Sequence, residues 1–341
     1  MLNTIYRLTA PRRFEIEFSD IDINESEVIV RPTHLSICNA DQRYYQGKRS
    51  AEVLAKKLPM ALIHEAIGTV VHSNSLEFKP GDRVVMIPNT PVEKDEFIAE
   101  NYLRSSKFRA SGFDGFMQEC VDMTADRLVK IPKELDPMVL AFTEIISVAY
   151  HAVDRFMKHA HGRKDSIGIW GDGNLAFIVS LILHYRLPET KLIVFGKNED
   201  KLENFSFVQE TYNIADIPEG LEIDHAFECV GGEGSQRAID QIIDIIKPEA
   251  TVSILGVSEN PVPVNTRMIL EKGLVFFGSS RSGRTDFEAT VEFMKNHPES
   301  VDFLSYLAAQ SIEVETVSDM NRAFETDIQK SYGKTVMVWK A

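Results

Sequence analysis

Cys38, in the stretch LSICNADQRYY, is one of three cysteines in the chain, with Cys120 and Cys229 far from it. A cysteine is a small buried hydrophobe or, as a thiolate, a soft metal ligand. Three other residues have types that could join it. His64 and Glu65 lie in LPMALIHEAIGTVV, at the entry to a strand just before Gly68. Glu144 lies in AFTEIISVAYHA, at the start of a helix leading into the second half of the chain. Thiolate, imidazole and carboxylate are the donors of a catalytic zinc, which takes about three protein ligands and keeps one position open. Each residue also has an ordinary reading. The cysteine could be core, the His-Glu pair a surface or outer pair, and Glu144 an acid favoured in a first helical turn. Spacing alone leaves both readings open.

A second constellation concerns phosphate. In IGIWGDGNLAFIVSLIL, Gly171, Gly173, Asn174, Leu175 and Ala176 form a G-x-G-x-x-A loop after a strand and before a helix. The first glycine permits a tight turn, and the second lets backbone N–H groups approach a pyrophosphate. The small Ala176 lets helix and strand pack closely. A dinucleotide is the expected ligand. Sites for NAD usually end the next strand with Asp or Glu, which hydrogen-bonds the ribose 2′-OH. Here LIVFGKNEDK ends at Gly196-Lys197, which would admit a 2′-phosphate, so NADPH is expected. Were the strand to end later, Glu199 or Asp200 could take the ribose contact instead. Val230 and Gly231, in FECVGG, are expected on the cofactor side of a later strand.

The elements around these residues change character along the chain. Up to about residue 145, short β-branched or alternating segments are separated by Gly, Pro, Asn and Asp: FEIEFSDIDI, EVIVRPTHLSIC, AIGTVVHS, GDRVVMIP and GFMQECVDM. They predict a barrel-like β domain, with one irregular polar break from Asn89 to Asp114. PMVLAFTEIISVAYHAVDRFMKHA predicts a single helix. Strands and helices then alternate (SIGIWG, NLAFIVSLILHYRL, KLIVFG, HAFECVG, SQRAIDQIIDII, ATVSILGV, GLVFFGSS), the pattern of a doubly wound parallel sheet. A final stretch offers one helix, DFEATVEFMKNH, and a last strand, GKTVMVWK. The expected divisions are 1–145, 146–285 and a tail, 286–341, that returns to the first domain.

At 341 residues the chain is long enough for two domains. A net charge of −14 argues against a nucleic-acid partner. An anionic small substrate would need a local basic pocket. Sparse, odd-numbered cysteines with no C-x-x-C pair suit a reducing compartment. The N-terminal sequence lacks the pattern of a signal peptide, and no apolar run is long enough to span a bilayer. The expected setting is the cytoplasm, with no membrane partner.

CNAD, HEAIGTVV, GDRVV, TE…VAYHA, GDGNLA and FECVGG, in this order, resemble the zinc-dependent medium-chain dehydrogenase/reductase family of alcohol and polyol dehydrogenases. The resemblance spans the chain. It implies a GroES-like β-barrel catalytic domain plus a Rossmann NADP-binding domain, and often a homodimer. It also implies that Cys38, His64, Glu65 and Glu144 supply one catalytic zinc per chain, with Asp41 orienting the site from behind. A zinc so held acts as a Lewis acid on a carbonyl, and reduced nicotinamide supplies hydride. Three departures stand out. Ile63 replaces the family's glycine before His-Glu. Ala40 replaces the hydroxyl residue that relays the proton. The stretch from Asn89 to Asp114 lacks the four cysteines of the structural zinc lobe.

Within the family, MALIHE, VVMIPNTPVEKD, IAENYLRSS, GIWGDGNL, DHAFECVGG, LGVSENPVPVNTR and GSSRSG are similar to the ribulose-5-phosphate reductases of teichoic-acid synthesis. That similarity implies reduction of D-ribulose 5-phosphate to D-ribitol 5-phosphate. It also implies association with a cytidylyltransferase that makes CDP-ribitol. Candidates to meet the substrate phosphate are Arg43, Tyr44, Arg109 and Arg281. Lys48, Arg104, Lys107 and Arg284 are further basic residues nearby in sequence. The rival readings are an NAD-dependent polyol dehydrogenase for an unphosphorylated substrate, a zinc-free quinone-reductase-like enzyme, and a non-catalytic nucleotide-sensing subunit.

Overall fold

The computed structural model describes all 341 residues. The chain divides into two compact units, residues 1–147 with 282–341, and residues 148–281.

The second unit carries a six-stranded parallel sheet. In spatial order its strands are Glu210–Asn213, Lys191–Gly196, Ser166–Trp170, His225–Glu228, Thr251–Ile254 and Val275–Gly278. The order reverses at Ser166–Trp170, where the glycine loop leaves the sheet, and dinucleotides bind at such a switch point. Parallel sheets are covered on both faces, so their central strands read as continuous apolar runs. Residues 192–196 and 167–170 are accordingly all buried. The helix Asn174–Arg186 is apolar nearly all round, and Ala176 through Leu183 are buried. Ser235–Ile245 is amphipathic and buries only Ser235, Ala238, Ile239, Ile242 and Ile243.

The first unit is built on a seven-stranded sheet. Val28–Ser36 lies at its centre, between Glu65–Ser73 and Thr335–Trp339. The register matters for the site. Ser36 pairs with Glu65 on one side and with Val336 on the other. Cys38, Glu65 and Lys334 therefore gather at one end of three adjacent strands, although they are far apart in sequence. The tail joins this sheet through Thr335–Trp339, antiparallel to Val28–Ser36, and adds Gln310–Val314 as a parallel edge strand beside it.

Three expectations about elements change. The predicted long helix is two, Pro137–Leu140 and Thr143–His159. The Thr143 hydroxyl donates to the carbonyl of Leu140 at 2.7 Å, and a new first turn begins there, carrying Glu144. The tail holds more than one helix, adding Pro298–Ser305, the strand Gln310–Val314 and Val317–Gln329. Thr316 and Asp319 form a reciprocal cap for the last helix, a T-x-x-D signal present in the sequence. The break from Asn89 to Asp114 is irregular as expected, but Asn89–Thr90 pairs with Lys107–Phe108.

At the start of its parallel strand, His225 is fully buried. Its Nδ1 accepts from the Thr251 amide at 3.1 Å, and its Nε2 donates to the Arg163 carbonyl at 2.9 Å. That arrangement fixes a neutral ring. Burial, then the neighbouring His161, pull its pKa from the usual 6.5 to about 4. The unfolded chain thus binds a proton at a pH where the folded chain does not. Stability should be full above pH 6.5 and fall as pH drops through 6.5 toward 4. His225→Gln keeps a donor and an acceptor but cannot titrate. Urea unfolding across that range should show a shallower pH slope for the variant.

Candidate active site

Cys38 lies two residues beyond the end of the central strand and is the N-cap of a short helix, Asn39–Tyr45. Asp41, in that helix's first turn, reaches back to the Cys38 amide at 3.1 Å through Oδ2. Its other oxygen, Oδ1, accepts the Ile63 amide at 3.0 Å. The same oxygen lies 3.8 Å from His64 Nδ1. One buried carboxylate thus ties the Cys38 turn to the segment carrying His64.

Ile63 is the residue that stands where the family has glycine. It has a φ of 70° and is fully buried. A β-branched residue in that left-handed region is strained. Its amide is held by Asp41 and its carbonyl accepts from Phe116 at 2.8 Å. The turn is therefore imposed by its hydrogen-bonding partners.

Cys38, His64 and Glu65 each direct one ligand atom into a cluster whose members lie within 4.8 Å of one another. Glu65 is fully buried. Its Oε1 accepts from Lys334 Nζ at 2.8 Å, while Oε2 has no hydrogen-bond partner. An orphaned buried carboxylate oxygen beside a thiol and an imidazole fits a zinc donor set. Glu144 stands outside the trio but is buried close by. Burial pushes its carboxyl up to about 7, opposed by His64 and reinforced by Glu65. Burial alone would lower the His64 pKa, but Asp41 and then Cys38 hold it well above the usual value. Asp41 is itself raised, first by burial. Acidic groups outnumber Lys334 here, and a divalent cation would offset the excess.

Lys334 escaped sequence reasoning. It is buried, and the carboxylate of Glu65 and the thiol of Cys38 raise its pKa against the pull of desolvation. In sequence it is one lysine before a terminal strand, and only the register shows its partner.

The glycine loop takes the expected form. Gly171 has a φ of 132°, and a Cβ there would sit 3.3 Å from Ala176 Cβ and the Cys229 carbonyl. Gly173 caps the helix Asn174–Arg186, with open space where a Cβ would be, the room a pyrophosphate needs. Leu175 and Asn174 open that helix, with Ala176 buried behind them. The next strand ends at Gly196, leaving Lys197 exposed. Glu199 opens a short helix and accepts from Asn213 Nδ2 at 2.6 Å. Val230 and Gly231 are placed by Glu228, a second residue sequence reasoning missed. Its buried carboxylate accepts from their amides at 3.0 and 2.9 Å, and from Gly256 at 3.1 Å.

The basic candidates separate. Arg109 lies among rings, carbonyls and acids. Its guanidinium faces the Phe113 and Phe116 rings and donates to the Asp114 and Asp122 carbonyls. It lines a cavity of about 670 Å³ shared with Asp20, Asp22, Glu25, Asp114 and Asp122, a poor place for an anion. Burial lowers its pKa to about 10. Arg284 pairs with Glu288 and Glu77. Tyr44 is buried, its ring beneath the Arg49 guanidinium at 5.1 Å. Arg43 is half-buried on the helix that follows Cys38. Arg281 is half-buried with a φ of 59°. Lys48, Arg104 and Lys107 are exposed.

Comparison with known proteins places this geometry. Residues 24–133 match the alcohol dehydrogenase GroES-like domain, and residues 204–296 match the zinc-binding dehydrogenase model. The chain is 54% identical to the ribulose-5-phosphate reductase of Bacillus spizizenii over 100% of both proteins. It is 52% identical to ribulose-5-phosphate reductase 1 of Staphylococcus aureus over 99% of both. The crystal structure of S. aureus TarJ in complex with NADPH superposes with a TM-score of 0.91 at 47% identity, covering 100% of each chain.

Removing Lys334 would leave Glu65 buried without its cation. Lys334→Met should cost the metal-free protein about 3–5 kcal/mol, the usual penalty for breaking a buried pair. Chemical denaturation after chelation, with and without added zinc, measures this. Zinc should recover part of the loss.

From the GroES-like and zinc-binding matches, and from full-length homology to the ribulose-5-phosphate reductases, the chain belongs to the zinc-binding, medium-chain alcohol dehydrogenase family.

Proposed function

We propose that the chain is a zinc-dependent, NADPH-dependent reductase that converts D-ribulose 5-phosphate to D-ribitol 5-phosphate. The observation that carries this reading is 54% identity, end to end, with a protein of that named activity. The Cys38–His64–Glu65 cluster supports it, because it retains a metal donor set with only Cys38 partly exposed. So does the strand ending at Gly196, followed by Lys197, because the strand's last position carries no acid to repel a 2′-phosphate.

When bound, zinc supplies a Lewis acid for the substrate carbonyl and NADPH supplies the hydride. The chain's residues provide the rest. Cys38, His64 and Glu65 would hold the metal, with Glu144 a carboxylate in reserve beside them. Asp41 fixes the backbone of the Cys38 turn and faces the His64 ring. Lys334 holds one oxygen of Glu65 and leaves the other available. Gly171, Gly173, Asn174, Leu175 and Ala176 form the pyrophosphate cradle. Lys197 meets the 2′-phosphate, and Glu228 sets Val230 and Gly231 against the cofactor. Arg43, five residues beyond Cys38 on the same turn and helix, is the favoured ligand for the substrate phosphate, with Arg281 a second. Ala40 offers no hydroxyl, so proton delivery falls to another group or a water.

The product would supply a cytidylyltransferase making CDP-ribitol for a wall teichoic acid or capsule, and physical association with that enzyme belongs to this reading. A homodimer formed along the edge strand Val275–Gly278 is part of it too, supported by Val275 being 42% exposed there. No helix is long and apolar enough to cross a membrane. Three free cysteines suit the cytoplasm, where we place the enzyme.

Steady-state rates with NADPH against NADH, and with ribulose 5-phosphate against ribulose, test the reading on a sample of known zinc content. NADPH with ribulose 5-phosphate should be the best pair. Equal rates on free ribulose would exclude a phosphate site, and full activity without zinc would favour a quinone-reductase-like enzyme. NADPH binding without turnover of any carbonyl would point to a sensor. Cys38→Ala should lose both zinc, by metal analysis, and activity.

A further inference from the structure

Asp172 lies between the two glycines of the loop, at a position the cradle does not specify. Its Oδ2 accepts three hydrogen bonds: from the Lys197 amide at 2.8 Å, the Asn198 amide at 2.8 Å and Asn198 Nδ2 at 3.0 Å. All three come from the turn that follows the second strand of the parallel sheet. A single carboxylate thereby ties the glycine loop to the segment that decides between a ribose hydroxyl and a ribose phosphate. Three donors turn Oδ2 toward the backbone of that turn. The Lys197 side chain remains exposed and reaches outward from the fixed turn.

Asp172 also constrains the residue before that turn. A Cβ built on Gly196 would come 2.8 Å from Asp172 Cβ and 2.7 Å from Leu202 Cδ2. Leu202 crowds the position as well, through a flexible side chain, whereas the Cβ of Asp172 is held by its backbone and by the three hydrogen bonds. Position 196 is where an acid for the ribose 2′-OH would stand at the end of this strand. With Asp172 present, no side chain fits there without displacing the loop.

From these contacts we infer that Asp172 is the positioning residue for cofactor choice. It fixes the Lys197–Asn198 turn for a 2′-phosphorylated dinucleotide and bars a carboxylate from position 196. The inference rests on the NADPH reading above, and the experiment separates the two. Fluorescence titration of the full-length protein with NADPH and with NADH gives Kd for each. If the wild type binds NADH more tightly, the cofactor reading itself fails, whatever the variants do.

Given a wild-type preference for NADPH, Asp172→Ala should raise its Kd about tenfold, the scale of a lost charge-assisted contact, and that of NADH by less than about threefold. Equal loss for both cofactors would mean a merely structural role and overturns the inference. So would tighter NADPH binding, which would show that Asp172 blocks the turn's amides. Asp172→Asn keeps the shape of the side chain and serves if the alanine variant does not fold. The steric half has its own arm. Gly196→Asp alone should weaken both cofactors. Asp172→Gly with Gly196→Asp should bind NADH at least about tenfold more tightly than Gly196→Asp alone. A single Gly196→Asp variant that already gains NADH would overturn it.

Discussion

A carboxylate cut off from water must be neutralised by protonation or by a partner, and Glu65 has Lys334. This one ion pair explains much of the first unit. Glu65 opens the strand beside Val28–Ser36, and Lys334 precedes the strand on its other side. The pair therefore clamps the end of the sheet across three strands. It gives the C-terminal segment an electrostatic reason to pair with the central strand, beyond the burial of Val336, Met337 and Trp339. It also divides the work of the carboxylate, with one oxygen committed to structure and the other free.

The second unit uses the same device twice with backbone donors. Glu228 collects the amides of Val230, Gly231 and Gly256, and Asp172 collects those of Lys197 and Asn198. In each case one acid joins the ends of neighbouring parallel strands at the face where the glycine loop emerges. Loops at that face have few side chains to pack, so charge-assisted hydrogen bonds to backbone give them defined positions. The chain is acidic overall, yet these acids are consumed internally. Its net charge of −14 says little about the sign of the field over the cofactor loop.

Much of this was legible in the sequence. The alternation of apolar strands and helices from residue 166 onward is a direct record of burial on both faces of a sheet. The glycine loop is a record of backbone geometry. Cys38, His64 and Glu65 have recognisable chemistry, but their meeting depends on register, which a sequence does not state. The helices Pro298–Ser305 and Val317–Gln329 were overlooked, although the second has a capping pair at Thr316 and Asp319. A basic residue looks the same in sequence whether it faces an anion or, like Arg109, packs against Phe113 and Phe116. Lys334, Glu228 and Asp172 share one cause of invisibility. Each acts on groups brought close only by the fold.

Ile63 has a further consequence. A β-branched side chain is stiff, and that of Ile63 is held at positive φ with no exposure to solvent. The peptide leading into His64 is thereby constrained by burial and by hydrogen bonds at both its amide and its carbonyl. Folding has already spent the entropy that a flexible loop would surrender on capturing a ligand. A glycine at the same position would relieve the strain and return that freedom to the loop. The departure from the family's pattern thus favours a rigid receptacle over a relaxed one.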